Sequence, residues 1–194
     1  MIEAFLISLG AVFVAELGDK SQLMALTFAS RYPAWIVLVG VTVATLLVHA
    51  GSVALGVAVA AAIPTQLIQL AGGLAFFGFA AWTIRGDSLD EEEQTRAARS
   101  DGLAVLAVGS AFFLAELGDK TMLVTITLAT NSDPWGTWIG STVGMVAADA
   151  IAIAIGSLLG SRLPERQIKV FATAMFLIFG VLLVAEGLGF KLLP

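Results

Sequence analysis

Residues 15–21 read A-E-L-G-D-K-S, and residues 115–121 read A-E-L-G-D-K-T. Each copy places two carboxylates, an ammonium and a hydroxyl within six consecutive positions. On a continuous helix Glu16, Asp19, Lys20 and Leu23 share one face, and so do Glu116, Asp119, Lys120 and Leu123. The four acids outnumber the two lysines by two, so one doubly charged cation or two protons would neutralise the set. With Ser21, Thr121 and Gln22 beside the acids, the donors are almost all oxygen. Such sites suit magnesium, calcium and manganese(II). The second copy carries Met122 where the first has Gln22. A thioether is a softer donor, or a packing group.

Both copies lie in strongly apolar surroundings. The chain of 194 residues is 58% hydrophobic and 13% charged, with mean hydropathy +0.94. Soluble domains are about a quarter charged, so the composition is that of a membrane protein. Apolar runs fall at about 4–29, 35–62, 66–85, 102–129, 136–160 and 168–189, each long enough for roughly 30 Å of hydrocarbon. The motifs sit near the middle of the first and fourth runs. A single charge at the centre of a bilayer costs about 2.5–3.5 kcal/mol on insertion scales. The six motif charges must therefore be paired inside the bundle, and their two faces are expected to meet there. A purely structural role as Glu–Lys salt bridges is the rival reading.

The offset of 100 extends beyond the motif. Trp35 matches Trp135, Gly40 matches Gly140, Thr42 matches Thr142, Gly56 matches Gly156 and Pro64 matches Pro164, while His49 falls opposite Asp149. The register implies a duplicated three-helix unit. Three spans are an odd number, so the second copy enters the membrane from the opposite side. The expected fold is all-α: a polytopic membrane protein of six transmembrane helices arranged as two inverted-topology three-helix repeats. Its parts are residues 1–86, a charged cytoplasmic loop at 87–101, and residues 102–194. Folds of this kind place substrate near the midplane, between the repeats.

Seven basic residues (Arg31, Arg85, Arg96, Arg99, Arg162, Arg166 and Lys169) would lie on one side of six spans and only Lys191 on the other. The positive-inside rule puts the seven in the cytoplasm and both termini on the non-cytoplasmic side. The N-terminus lacks the basic region of a cleaved signal peptide. Ser88 and Glu91 form a capping-box pattern in the charged loop. Gly140, Gly144, Ala148, Ala152, Gly156 and Gly160 form a ladder of small residues for close helix contact. Gly18 and Gly118 allow either local unwinding, which frees backbone carbonyls, or close packing. Trp35, Trp82, Trp135 and Trp138 read as interfacial anchors. Asp149 and His49 could relay protons to the site or satisfy one another between helices. Glu186, near the end of the last span, could reach water.

The exclusions are equally direct. There is no cysteine and one histidine, which removes disulfides, thiolate metal sites and multi-histidine centres. No basic surface large enough for nucleic acid is present. A lipid-processing enzyme would need a nucleophile or histidine at headgroup level, and His49 lies too deep. No permanently bound cofactor is expected. A homodimer is compatible with the sequence but not specified by it.

The doubled E-x-G-D-K-[ST], placed in the first helix of each half, resembles the Gdt family of membrane cation exchangers over nearly the whole chain. The resemblance implies divalent-cation transport, chiefly of manganese and in some members calcium, against protons. It maps the motif acids onto Glu16, Asp19, Glu116 and Asp119, with both copies intact. The expectation is a manganese(II) exporter of the cell inner membrane, working by proton antiport. A calcium/proton exchanger, a small six-helix amino-acid exporter and a structural subunit are the alternatives.

Overall fold

The computed structural model describes residues 1–85, 104–159 and 165–190. The charged loop at 87–101 lies outside the described residues, as do Gly160, Pro164, Lys191 and the capping box at Ser88 and Glu91. All regular structure described is helical: α1 Ile2–Glu16, α2 Lys20–Ala29, α3 Ala34–Ala62, α4 Thr65–Arg85, α5 Ala104–Glu116, α6 Lys120–Ala129, α7 Pro134–Leu159 and α8 Glu165–Gly187. Four segments within α3, α4, α7 and α8 are long and apolar enough to cross a membrane. The protein is therefore a multi-pass helical membrane protein.

The apolar runs at 4–29 and 102–129 are not single helices. Each breaks inside the motif, and this corrects the expectation of one continuous charged face. α1 stops at Glu16, Leu17 is extended at φ −62° and ψ 117°, and Asp19 is the N-cap of α2. Between them Gly18 has φ +74°, and Gly118 has φ +82°. Only glycine enters that region without strain, so each motif glycine makes its break. Leu23 and Leu123, expected on the charged face, are instead exposed.

Packing exchanges partners between the halves. α1 runs along α7, α5 runs along α3, and α4 pairs with α8. One core cluster holds Met24, Phe28, Ala111, Phe112 and Ala115. The other holds Val124, Leu128, Ala11, Val12 and Ala15, the same positions with the halves swapped. Where α3 crosses α7, Thr45 Oγ1 lies 3.2 Å from Met145 Sδ, its own counterpart. Between α4 and α8, Phe76 meets Phe176 at 5.9 Å and Phe179 at 5.7 Å between ring centroids. Phe79 completes the cluster at 5.9 Å from Phe176.

The small-residue ladder is a packing seam, and it starts one turn earlier than expected, at Gly136. A Cβ on Gly136, Gly140 or Gly144 would overlap the Met1, Phe5 or Leu9 carbonyl oxygen of α1 and the residue before it. Further along, Gly56 packs on Ile126 and Gly156 on Leu26, again counterparts of each other. Glu186 is held in the α4–α8 pair, accepting from Gln69 Nε2 at 3.2 Å. Trp35 and Trp135 are exposed, as anchors would be. Trp138 also donates to the Leu46 carbonyl at 2.9 Å.

Gly144→Ala places its new carbon 2.5 Å from the Leu9 oxygen. It is expected to destabilise the fold by about 1–3 kcal/mol, the usual cost of overpacking. Gly51 has nothing within 4 Å of such a carbon. Gly51→Ala should hold or gain stability, as helix propensity favours alanine. Thermal unfolding of the two variants in detergent checks the contrast.

Candidate cation site

The two helix breaks meet at the centre of the bundle. Glu16, Asp19, Glu116, Asp119 and Lys120 are all buried. The ion pairs cross between the copies. Lys120 Nζ lies 3.1 Å from Asp19 Oδ2, and Lys20 Nζ lies 3.8 Å from Asp119 Oδ1. Each lysine reaches an aspartate of the other half. The pairs are unequal, because the Lys20 side chain is 21% exposed and that of Lys120 is 2% exposed.

The glutamates are held the same way in both copies. The hydroxyl of Ser21 donates to Glu16 Oε1. That of Thr121 donates to Glu116 Oε2 at 2.6 Å. These bonds put each carboxylate against the first turn of the following helix, where the macrodipole is positive. Asp19 Oδ1 also accepts from the Lys20 amide at 2.7 Å. The second oxygens, Glu16 Oε2 and Glu116 Oε1, are buried without a hydrogen-bond partner. A buried polar atom left unbonded is costly, and a pair of them at equivalent places marks where a ligand can act.

Gln22, expected as an oxygen donor, is engaged in the backbone. Its Oε1 accepts from the Gly18 amide at 2.9 Å, and its Nε2 donates to the Ala148 carbonyl at 3.3 Å. Met122 occupies the same place in the other half, with its sulfur 3.2 Å from the Gly118 amide. Both side chains therefore close the break; no spacing in the sequence signals this. His49 and Asp149 are fully buried. Neither ring nitrogen of His49 and neither oxygen of Asp149 has a hydrogen-bond partner. The two side chains are therefore not hydrogen-bonded to one another.

Among the described residues, no three acidic or histidine side chains converge on one metal-sized point. The lysine ammonium groups stand against the aspartates instead. The arrangement gathers oxygen donors and excess negative charge in a buried, doubled break, without a closed cage.

Against known proteins, residues 4–91 and 104–189 match the family described as "Divalent cation/proton antiporter GDT1". The chain belongs to that family. GDT1 proteins are a transporter family rather than an enzyme family. The match covers both halves and both breaks. A Vibrio cholerae protein named "Putative manganese exporter" is 34% identical over 178 residues, covering 90% of this chain and 87% of that protein. "GDT1-like protein sll0615" of Synechocystis is 29% identical over 93% of this chain and 96% of its own length. "GDT1-like protein 5" of Arabidopsis thaliana is 27% identical, covering 93% and 95%. No solved structure matches.

Removing the Lys120 charge takes away its buried ion pair with Asp19. Lys120→Gln should cost about 3–5 kcal/mol, as breaking a buried ion pair does. Adding Asp19→Asn should recover most of that loss. A double-mutant cycle from unfolding in detergent measures the coupling, and additive losses would rule out the crossed pair.

Proposed function

We propose that this GDT1 protein exports divalent cations, manganese(II) foremost, in exchange for protons, through six spans arranged as two inverted three-helix repeats. The observation that carries the reading is the pair of unbonded glutamate oxygens, Glu16 Oε2 and Glu116 Oε1, at equivalent buried breaks. α1 with α2, and α5 with α6, then count as the two interrupted spans. Interrupted helices with sites at mid-depth are a recurring design in inverted-repeat transporters. The positive-inside pattern sets both termini outside the cytoplasm.

In this reading Glu16, Asp19, Glu116 and Asp119 bind the cation, with Ser21 and Thr121 as supporting oxygens. Gln22 acts mainly by holding its break shut. Lys20 and Lys120 neutralise the aspartates while no dication is present. A divalent ion competes with those ammonium groups and with protons for the same carboxylate oxygens. That competition couples the two fluxes: cation leaves as protons enter, and the reverse. An oxygen-rich donor set suits manganese and also calcium. The manganese preference is supported by the name of the Vibrio relative and remains the point that competition must decide.

Purified protein in proteoliposomes with an imposed pH gradient should move manganese(II), and calcium or magnesium in competition should show the preference. Glu16→Gln and Glu116→Gln should each lower transport at least tenfold, with the protein inserted normally. Gradient-independent leakage, or full transport by both variants, would defeat the reading.

A further inference from the structure

We infer that Asp149 is a fifth carboxylate of the cation site, supplied by α7 of one half alone; the inference rests on the transport reading above. Asp149 is fully buried, and neither of its oxygens has a hydrogen-bond partner. Lys20 pairs with Asp119 and Lys120 with Asp19. In lipid-buried bundles, structural polar side chains bond to neighbouring helices or to backbone. A carboxylate that does neither is held for something else.

Its position says what that is. Asp149 follows Ala148, whose carbonyl takes the amide of Gln22. It therefore stands at the level of the first break. Gln22 in turn accepts from the amide of Gly18, the residue that makes that break. One unpartnered acid thus lies beside the break that follows Glu16, whose second oxygen is also unbonded. Mutual repulsion among such carboxylates is relieved by a dication with several oxygen ligands.

The counterpart position argues that this is a designed asymmetry. His49 occupies it, equally buried, with both ring nitrogens unbonded. One half thus offers an anionic oxygen donor where the other offers an imidazole. A cation held by Asp149 is tied to α7 as well as to the two breaks. α7 lies against α1 through the glycine seam of Gly136, Gly140 and Gly144. The cargo then links the charged breaks to the contact between α1 and α7.

Asp149→Asn keeps size and shape while removing the charge. A ligand carboxylate and a structural one predict opposite results for it. As a ligand, its loss should weaken manganese(II) binding to detergent-purified protein at least tenfold by calorimetry. It should leave the metal-free melting temperature unchanged or higher, because Asp149 makes no hydrogen bond that asparagine would lose. Metal-induced stabilisation should shrink in parallel. Unchanged affinity, or a metal-free melting temperature several degrees lower, would overturn the inference. If Asp149→Asn gives no folded protein, Asp149→Glu takes its place; it should retain metal-induced stabilisation, and losing it would count against Asp149 equally. Binding by the wild-type protein separates the two claims. Its absence would overturn the transport reading itself, whereas normal wild-type binding with an indifferent Asp149→Asn would overturn only this assignment.

Discussion

The fold depends on one electrostatic constraint: charges placed at mid-depth in an apolar bundle must find opposite charges there. Burying an isolated ion costs several kcal/mol even after relaxation. The protein meets this by crossing its ion pairs, Lys120 to Asp19 and Lys20 to Asp119. Neither half could bury its motif without the other. The exchange of partners between α1, α3, α5 and α7 follows from that requirement. So does the break, because a continuous helix would carry Glu16 and Asp19 on one ridge. Ending α1 at Glu16 and restarting at Lys20 turns the glutamate toward the hydroxyl of Ser21 and frees the aspartate to face the other half.

The apolar packing is arranged to let those breaks meet. Both core clusters use matched positions from opposite halves, and Thr45, Met145 and the four phenylalanines sit where counterparts touch. Glycines supply the closeness. Along α7 they bring the helix onto the α1 backbone, and at Gly56 and Gly156 they admit α6 and α2. Larger residues there would hold the breaks apart. Stability and site geometry thus draw on the same contacts, so changes far from any charge act on the site.

Much of this was legible in the sequence, and the physical reason is that charge in apolar surroundings is conspicuous. The doubled motif, the offset of 100 and the small-residue ladder needed no coordinates. The break did not show itself, since the apolar run continues through Leu17 and Leu117 without any change of hydropathy. Glycine at 18 and 118 signalled only permission to unwind. Gln22 was read as a ligand because its amide oxygen suits a hard cation; its partners are backbone groups that no composition reveals. The pairing of Asp149 with His49 was inferred from register, yet equivalent positions in two halves need not touch, and these two are not bonded. Their registry is a statement about symmetry, whereas their chemistry depends on which neighbours each one faces.

The halves are equivalent in plan but unequal in detail, and the inequality has a direction. Gln22 bonds at both ends, fastening the first break to α7 at Ala148. Met122 accepts from Gly118 but has no hydrogen to donate, so its side chain makes no bond like that of Gln22 to Ala148. The consequences appear nearby: Leu117 is 49% exposed, Leu17 is half-buried, and the ion pair on Asp119 is the longer and more exposed of the two. A two-state machine needs its alternatives separated by only a few kcal/mol. Identical halves would make the two states equal in energy, and strongly different ones would fix a single state. Replacing one strap by a weaker sulfur contact makes the two otherwise matched breaks unequally held.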